Sequence, residues 1–433
     1  MLRASVYLVI PVLVASCAYQ DPIHIPDESL AKSRPIAPPQ SLDLTPRIAL
    51  SKVGDRVVRN HPNLRAARLR IREAEGKLVQ AGLPLNPSIG LGTGKTGLGG
   101  QWDLTASFSQ QLPITNRLGL EKRVSFFELE LAKAELQDVE RRLIEAAQDQ
   151  ALEILALRAK EAQINTQITL LQTMVDFIST AAERGELSSL DAAQAKVELT
   201  KLQSAADALA IQQRGELIRL KAAFGMNPSA ELELLGELSP PRSLNRRIDL
   251  NKRPDYRFKE IEEKAALSRI SLEKAKQFGD VTTNIEGGVM REEDAPDGLE
   301  TEARIGVGMS IPLPLYNRNQ GNIAAAQASA ERVSLEKQAL AVTIREQVAS
   351  AQIEAEGWMT QYQTLTNSLI PQASENSEEL EKALRNGQAG FLSLLQARQQ
   401  ELDLKAQRVE ALENYHHARN DYFSAIGSPQ SAY

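Results

Sequence analysis

Residues 90–96, Gly-Leu-Gly-Thr-Gly-Lys-Thr, have the composition of a loop that binds nucleotide phosphates. Such a loop needs a glycine five positions before the glycine that precedes its lysine, and a helix directly after it. Ile89 stands at the first of these positions, and residues 97–100 are Gly-Leu-Gly-Gly, which do not begin a helix. We therefore expect no nucleotide site here. Elsewhere the sequence contains no catalytic triad and no cofactor motif, so we predict that the chain is not an enzyme.

The histidines are the next candidates for chemistry. The chain has four, of which only His416 and His417 are adjacent. Side chains of adjacent residues on a helix diverge by about 100°, so the pair makes a poor chelate. The six methionines form no cluster of soft ligands. We expect the two histidines to lie at a solvated helix end, and we predict no metal site.

The only cysteine, Cys17, lies at the end of an export signal. Arg3 supplies the positive charge, and residues 6–14 form an apolar core that is too short to span a bilayer. The segment Val-Ala-Ser before the cysteine resembles the lipobox of bacterial lipoproteins, which implies a signal peptide at residues 1–16 and acylation of Cys17, for example with palmitate. An ordinary signal peptide with an incidental cysteine is the alternative. Ala18, where inner-membrane lipoproteins tend to carry Asp, points to the outer membrane.

Composition narrows the classes of protein and of partner that remain possible. Six prolines in residues 17–46 indicate an extended tether behind the acylated cysteine. A net charge of −6 without a basic stripe argues against nucleic acid as a partner. The sequence has no run of 18 apolar residues, so we predict no transmembrane helix.

The chain repeats itself at an interval of 201 residues. Leu-Pro-Ile-Thr-Asn-Arg begins at Leu112, and Leu-Pro-Leu-Tyr-Asn-Arg begins at Leu313. Repetition on this scale indicates two copies of one structural unit. We predict repeat 1 at residues 47–230, a linker at 231–253, repeat 2 at 254–427 and a tail at 428–433.

Each copy predicts a short helix, two strands, a very long helix, a tight turn and a return helix. The long helices, 116–183 and 319–386, carry apolar residues at the 4-3-4-3 spacing of a coiled coil. These residues are Leu120, Val124, Phe127, Leu131 and Ala134 in the first copy, and Ile323, Ala326, Ala330, Val333, Leu340 and Ile344 in the second.

The helix lengths suggest how the helices are arranged. A short and a return helix together (62–83 with 188–224, and 254–278 with 389–426) nearly equal the long helix of their copy, which is about 100 Å long at 1.5 Å per residue. We expect each such pair to stack end to end beside the long helix, so that each copy supplies two staves of a helical barrel. Pro371 should bend or loosen the second long helix.

Four segments alternate between apolar and polar residues, as strands with two different faces do. We place them at about 87–94, 102–112, 281–291 and 301–311. One face is apolar, and the other is polar, charged or glycine, with Glu286, Glu302 and Arg304 on it. This is the pattern of an outer-membrane barrel strand. A pair of hairpins packed on helices is the soluble alternative.

Four strands cannot close a barrel, and an open sheet edge cannot lie in lipid because its backbone groups would be unpaired. The chain must therefore oligomerise. Three copies would supply twelve strands and twelve helical staves. The predicted fold class is thus mainly α with a small β part, in which a homotrimer forms an α-barrel and a 12-stranded β-barrel.

The chain resembles the TolC-like outer membrane efflux proteins from about Leu50 to Gly427. It is most similar to the lipid-anchored outer-membrane components of cobalt–zinc–cadmium-type tripartite exporters. The most specific stretch is residues 306–321, Gly-Val-Gly-Met-Ser-Ile-Pro-Leu-Pro-Leu-Tyr-Asn-Arg-Asn-Gln-Gly, and Asn86-Pro87 and Leu190-Asp191 also fit.

This resemblance implies a homotrimeric exit duct in the outer membrane of a Gram-negative bacterium, extending into the periplasm. It implies docking onto a periplasmic adaptor protein and an inner-membrane pump of the RND type, with membrane lipid around the barrel. It implies divalent heavy-metal cations as substrate. Small organic compounds or antibiotics are an alternative cargo, and a structural periplasmic coiled-coil lipoprotein is an alternative of a different class.

Two groups of residues follow as candidate sites. At the strand-to-helix junctions we expect prolines to hold the chain extended and asparagines to cap the next helix: Pro113, Asn116, Pro312, Pro314 and Asn317. At the hairpin turns we expect glycine to end one helix in a left-handed cap, and Ser188 or Ser189 to cap the next, with Asp191 as a further cap. The residues expected to dock the adaptor there are Gly185, Leu190, Asp191, Gly387, Phe391 and Leu392.

Overall fold

A computed structural model describes residues 46–96, 101–185, 188–244, 248–294 and 298–429 of the 433-residue chain. The lipobox with Cys17, the tether through residue 45 and the last four residues lie outside these ranges. The helices are α1 (Val53–Asn60), α2 (Pro62–Gln80), α3 (Arg117–Glu183), α4 (Ser189–Ala223), α5 (Pro254–Ala275), α6 (Gln320–Thr364), α7 (Ile370–Arg385) and α8 (Phe391–Ala425). The strands are β1 (Arg47–Ala49), β2 (Ser88–Thr96), β3 (Gln101–Leu112), β4 (Glu233–Leu235), β5 (Val281–Asp294) and β6 (Gly298–Ser310).

The predicted repeat is present in the order of these elements. Repeat 1 runs α2, β2, β3, α3 and α4, and repeat 2 runs α5, β5, β6, α6 with α7, and α8. The short helices end three residues earlier than predicted, because α2 stops at Gln80 and α5 at Ala275. The fold is mainly α with a small β part, as the sequence predicts.

Long helices form where the sequence lacks helix-breaking residues. α3 runs for 67 residues without a proline, about 100 Å at 1.5 Å per residue. Of its predicted seam, Val124 and Ala134 are buried, while Leu120, Phe127 and Leu131 are half-buried. In repeat 2, Ala326, Ala330, Val333 and Ile344 of the seam are buried.

The second long helix is interrupted close to Pro371. Leu365–Leu369 form a π-helical turn between α6 and α7, and Pro371 is the second residue of α7. Proline has no N–H to donate to the preceding turn, and a π turn is one way to accommodate the lost bond. The predicted local loosening therefore takes the form of one wide turn in a helix that otherwise continues.

Two glycines show that the short helices stack end to end. Gly225 ends α4 at φ +63°, and a Cβ on it would lie 3.2 Å from the Asn60 carbonyl oxygen, beside the first residue of α2. Gly427 ends α8 at φ +77°, and a Cβ there would lie 2.5 Å from the Lys252 carbonyl oxygen, beside the start of α5. Only glycine tolerates both this backbone conformation and this approach. The predicted end-to-end arrangement is confirmed in both repeats.

Arg253 fastens the junction between α8 and α5. It is 3 % exposed, and its guanidinium donates to the carbonyl oxygens of Ser424 and Ala425 at 3.4 and 3.0 Å. These oxygens belong to the last turn of α8, where the carbonyl groups have no N–H partner within their own helix. Asp255 balances the charge at 2.6 Å. A buried cation thus caps one helix and starts the next.

The linker between the repeats carries structure that the sequence did not predict. Within it, β4 pairs in parallel with β1, with Ile48 opposite Leu234. Both residues are buried in the largest apolar cluster, together with Val53, Val57, Leu220 and Phe224. Three-residue strands give no detectable alternation, so only their burial against α3 and α4 reveals them.

The two repeats share one antiparallel sheet in the order β2-β3-β5-β6. β3 and β5, one from each repeat, form the central pair, in which Phe108 lies opposite Ile285. β2 and β6 are the edges. The bounds of the four strands lie within three residues of those predicted.

Candidate functional site

The sheet has one apolar face that none of the described residues covers. Its register places Ile89, Phe108, Ile285 and Val307 in one row across all four strands. These side chains are 77, 41, 50 and 80 % exposed. The next row contains Leu91 and Ile305, exposed to a similar degree. An exposed apolar patch of this extent marks a surface that meets lipid or another protein.

Towards the β2–β3 and β5–β6 loops, the apolar rows give way to Lys95, Trp102 and Arg291, which are paired across neighbouring strands on the same face. Trp102 is 39 % exposed. An amphipathic ring flanked by long cationic side chains is typical of the boundary between hydrocarbon and water. The face therefore has an apolar band with a polar border.

The opposite face is polar and carries more acids than bases. Glu286, Arg304 and Glu302 occupy alternate register positions there, with Asp103 on β3. On β2 the three positions opposite Ser107, Thr105 and Asp103 are glycines, and a Cβ at Gly94 would lie 2.1 Å from Asp103 Oδ1. Polar side chains of β3 thus lie over the edge strand, and only glycine leaves them room. The predicted single polar face is present.

The junctions hold the sheet on the helices, but one predicted cap is wrong. Asn317 does not start α6, which begins three residues later behind Asn319. Asn319 has φ +56°, and its Nδ2 donates to the carbonyl oxygen of Glu273 and to its Oε2, both at 2.8 Å. Asn317 supports this turn by accepting from the Asn319 backbone N–H at 3.0 Å. Asn319 rather than Asn317 precedes α6 because its side chain contacts α5. The spacing of residues in the sequence does not predict this contact.

The contacts of Asn116 and of the junction prolines are less specific than those of Asn319. Asn116 is the N-cap residue of α3, but its side chain makes no capping hydrogen bond. Pro113, Pro312 and Pro314 lie in the connections between strand and helix, but at Pro314 the Leu315 N–H donates to the Leu313 carbonyl oxygen at 2.9 Å, so the chain turns there instead of staying extended. A Cβ on Gly279 would lie 2.6 Å from Pro312 Cγ, so this proline packs on the chain that enters β5.

The hairpin turns have the predicted caps. Gly185 and Gly387 have φ of +77° and +71°, the left-handed conformation that ends α3 and α7. Ser188 is the N-cap of α4 and accepts from the Leu190 N–H at 3.1 Å. Asp191 lies in the first turn without a capping bond, so its predicted role as a cap is wrong.

Of the predicted docking residues, only two large apolar side chains are exposed. Leu190 is 64 % and Leu392 54 % exposed. Phe391 is 2 % exposed and packs in a cluster with Ile178, Ala195 and Leu394, which joins the two hairpins. The prediction that Phe391 is exposed at the tip is therefore wrong. The first residue of α8 faces the neighbouring hairpin rather than the end of the bundle.

His416 and His417 do not lie at a solvated helix end, because α8 continues for eight residues beyond them. His416 is 1 % exposed with Nε2 2.8 Å from the Ser239 carbonyl oxygen, and burial lowers its pKa to about 4. Nδ1 of His417 lies 3.0 Å from Asp149 Oδ1 on α3. The two rings diverge as predicted, but each contacts a different part of the chain.

His417 belongs to a cluster that the sequence did not predict. A ring nitrogen of His417 and one carboxylate oxygen each of Glu153 and Glu413 all lie within 4.8 Å of one another. Lys160 donates to Glu413 at 2.7 Å. More than 250 residues separate the α3 and α8 members, so no local motif announces the cluster.

The remaining candidates lie in strands or outside the described residues. Residues 90–96, the imitation of a phosphate-binding loop, form most of β2 and have no loop conformation. Cys17 is not among the described residues. Among those that are, no helix has an apolar stretch of membrane-crossing length.

Known proteins share both the sequence and the architecture. Residues 53–226 and 248–428 match the family described as outer membrane efflux protein. The cobalt-zinc-cadmium resistance protein CzcC of Cupriavidus metallidurans is 23 % identical over 350 residues, which is 77 % of this chain and 79 % of that protein.

Solved structures give the same fold. The outer membrane protein VceC of Vibrio cholerae superimposes with a TM-score of 0.71 at 17 % identity, covering 88 % of this chain and 96 % of that one. CusC, whose structures are described in terms of transmembrane channel formation, gives 0.74 at 14 % identity, covering 88 and 92 %.

Proposed function

Because the chain belongs to the outer membrane efflux protein family, whose members are channels rather than enzymes, we propose that it is the exit duct of a tripartite exporter for divalent heavy-metal cations. The class of the protein, an efflux channel of the Gram-negative outer membrane, follows from the family. The cargo, the trimer, the partners and the lipid anchor are our proposals.

The sheet supports the trimer. Both edge strands, β2 and β6, lack a partner on their outer side within the described residues, and one face of the sheet is an exposed apolar band. In lipid each free edge must pair, and three copies closing β6 onto β2 of the neighbour would leave none. The apolar face then meets lipid, and the polar face lines the channel.

The polar face also supports a cationic cargo. Among the described side chains of each chain, four carboxylates (Asp103, Glu286, Glu300 and Glu302) share it with one cation, Arg304. Three chains would thus place an excess of negative charge around the channel, which attracts cations and repels anions. The similarity to a cobalt-zinc-cadmium resistance protein points the same way.

We place the adaptor at the hairpin tips. Leu190 and Leu392 lie in the first turns of α4 and α8 and leave more than half of their surface uncovered. Exposed leucines beside helix ends suit docking of a partner's helices. Acylation of Cys17 would anchor each chain at that residue to the periplasmic side of the outer membrane.

The decisive test is cation resistance in cells lacking the gene. Expression of the chain with its adaptor and pump should restore growth in Zn²⁺, Co²⁺ or Cd²⁺, and the purified protein should be a trimer that conducts cations in planar bilayers. Restored resistance to organic compounds or antibiotics, with none to metals, would reassign the cargo. A monomer without conductance would instead favour the structural lipoprotein.

A further inference from the structure

The cluster around His417 has the ligands and the geometry of a cation site. Asp149 and Glu153 are four residues apart on α3, and Glu413 and His417 are four residues apart on α8, so each pair lies on one face of its helix. These faces of α3 and α8 meet about 48 Å along α3, counted at 1.5 Å per residue from its first residue next to the sheet. This is how helical bundles assemble metal ligands from facing helices.

We propose that Glu153, Glu413 and His417 bind one divalent transition-metal ion of the Zn²⁺ type between α3 and α8. A tetrahedral Zn²⁺ with bonds of about 2.1 Å holds its ligands about 3.4 Å apart. The three ligand atoms already lie within 4.8 Å of one another, so small side-chain rotations close the site. A mixed set of one imidazole and two carboxylates favours Zn²⁺ or Co²⁺ over Mg²⁺ or Ca²⁺.

Asp149 prepares the imidazole for this role. A carboxylate only accepts hydrogen bonds, so His417 Nδ1, 3.0 Å from Asp149 Oδ1, carries a proton. In neutral His417 the lone pair is then on Nε2, as in carboxylate–histidine–zinc arrangements. The same hydrogen bond fixes the orientation of the imidazole ring against α3.

Asn420 lies one turn along α8 from His417 and orients Asp149. It is completely buried, and its Nδ2 donates to Asp149 Oδ1 at 2.9 Å and to the Glu145 carbonyl oxygen at 3.0 Å. Its Oδ1 is buried and accepts no hydrogen bond from the described residues. A buried amide oxygen without a donor costs free energy unless a further group, such as a water, supplies one.

The local charges favour a divalent ion over a monovalent one. Glu153, Glu413 and Asp149 carry three negative charges when ionised, and Lys160, on Glu413 at 2.7 Å, returns one. A divalent cation neutralises the remaining two. Asp421, one turn along α8, is a further charged group near Asp149 and His417, and its other charged neighbours are Glu145 of α3 and Glu354 of α6.

The site does not depend on the proposed cargo, and its test is binding, not export. Full-length protein without a histidine tag is purified in detergent, stripped with a chelator and titrated with Zn²⁺ by calorimetry. We expect one Zn²⁺ per chain and a visible Co²⁺ spectrum of a four-coordinate site. Mg²⁺ should not compete.

Variants locate the ion. His417→Gln keeps a hydrogen bond to Asp149 but removes the ligand, and it should weaken Zn²⁺ binding at least about tenfold. Glu153→Gln with His417→Gln should abolish it. Glu410→Gln, exposed on the same helix, is the matched control and should bind normally.

Stoichiometric Zn²⁺ binding that persists in the Glu153→Gln/His417→Gln variant, or no binding by the intact protein, would overturn the proposal. Anomalous diffraction from Zn²⁺-soaked crystals is the second measurement. A peak between α3 and α8 supports the site even if a variant folds poorly, and a peak elsewhere alone refutes it.

Discussion

Replacing Glu401 by Gln should loosen the second hairpin. Glu401 is 3 % exposed on α8, between α7 and the next turn of its own helix. Its carboxylate accepts from Ser374 at 2.8 Å, Ser377 at 2.7 Å, Arg398 at 2.9 Å and Lys405 at 2.6 Å. A glutamine would keep the shape but turn an N–H group towards these donors. The network joins α7 to α8 just below the tip that carries Leu392.

The loss of stability expected in Glu401→Gln follows from the pKa of Glu401. Burial alone would raise the pKa of Glu401, but hydrogen bonds from Lys405, Ser377 and Ser374 outweigh it and lower the pKa from 4.5 to about 2. A lowering of this size corresponds to about 3 kcal/mol of stabilisation. Lys405 is 28 % exposed and solvent screens its charge, so we expect about 2 kcal/mol.

The direction of the pKa shift of Glu401 predicts how this stabilisation depends on pH. Because the pKa is lower in the folded state, the stabilisation is fully present above pH 4.5 and is lost as the pH falls from 4.5 towards 2. The difference between Glu401→Gln and the unchanged protein should therefore be large at pH 7 and should shrink below pH 4.

Hydrogen exchange followed by mass spectrometry measures this locally, without requiring two-state unfolding of a trimer. At pH 7 the amides of α7 and of the first three turns of α8 should exchange about 30-fold faster in Glu401→Gln, the equivalent of about 2 kcal/mol. Glu378→Gln, exposed on α7, is the control and should leave exchange unchanged. Equal protection of Glu401→Gln and the unchanged protein at pH 7 would refute the assignment of stability to this network.

Three further predictions concern the tips, the anchor and a helix junction. The Leu190→Glu/Leu392→Glu double variant should abolish metal resistance and adaptor cross-linking while the trimer yield stays normal; normal cross-linking would remove the tips from the docking surface. Cys17→Ala should lose incorporation of labelled palmitate, and an unlabelled wild-type protein would show that the lipobox interpretation is wrong. Gly427→Ala should destabilise the α8–α5 junction by at least about 1 kcal/mol, because φ is +77° and the Cβ would lie 2.5 Å from a carbonyl oxygen. Gly215→Ala, in open space within α4, should instead stabilise that helix by up to about 1 kcal/mol, and a thermal shift of the same sign for both variants would contradict this reasoning.

The sequence alone determined the features that depend on neighbours along the chain. The repeat, the proline-free helices, the alternating strands and the left-handed turns at Gly185 and Gly387 were all predictable. Each depends on backbone conformation or on periodicity within about 20 residues, which a single chain displays directly. The polar face with Glu286 and Arg304 follows from the same alternation.

Only the tertiary structure decided which helix surfaces meet. Phe391 is buried because it faces the other hairpin, and Asn319 rather than Asn317 precedes α6 because Glu273 of α5 holds its side chain. His417 meets Glu153 only because α8 packs on α3. A helical pattern states that a residue lies on a given face, but the partner of that face is set by packing between segments hundreds of residues apart, where the sequence carries no local signal.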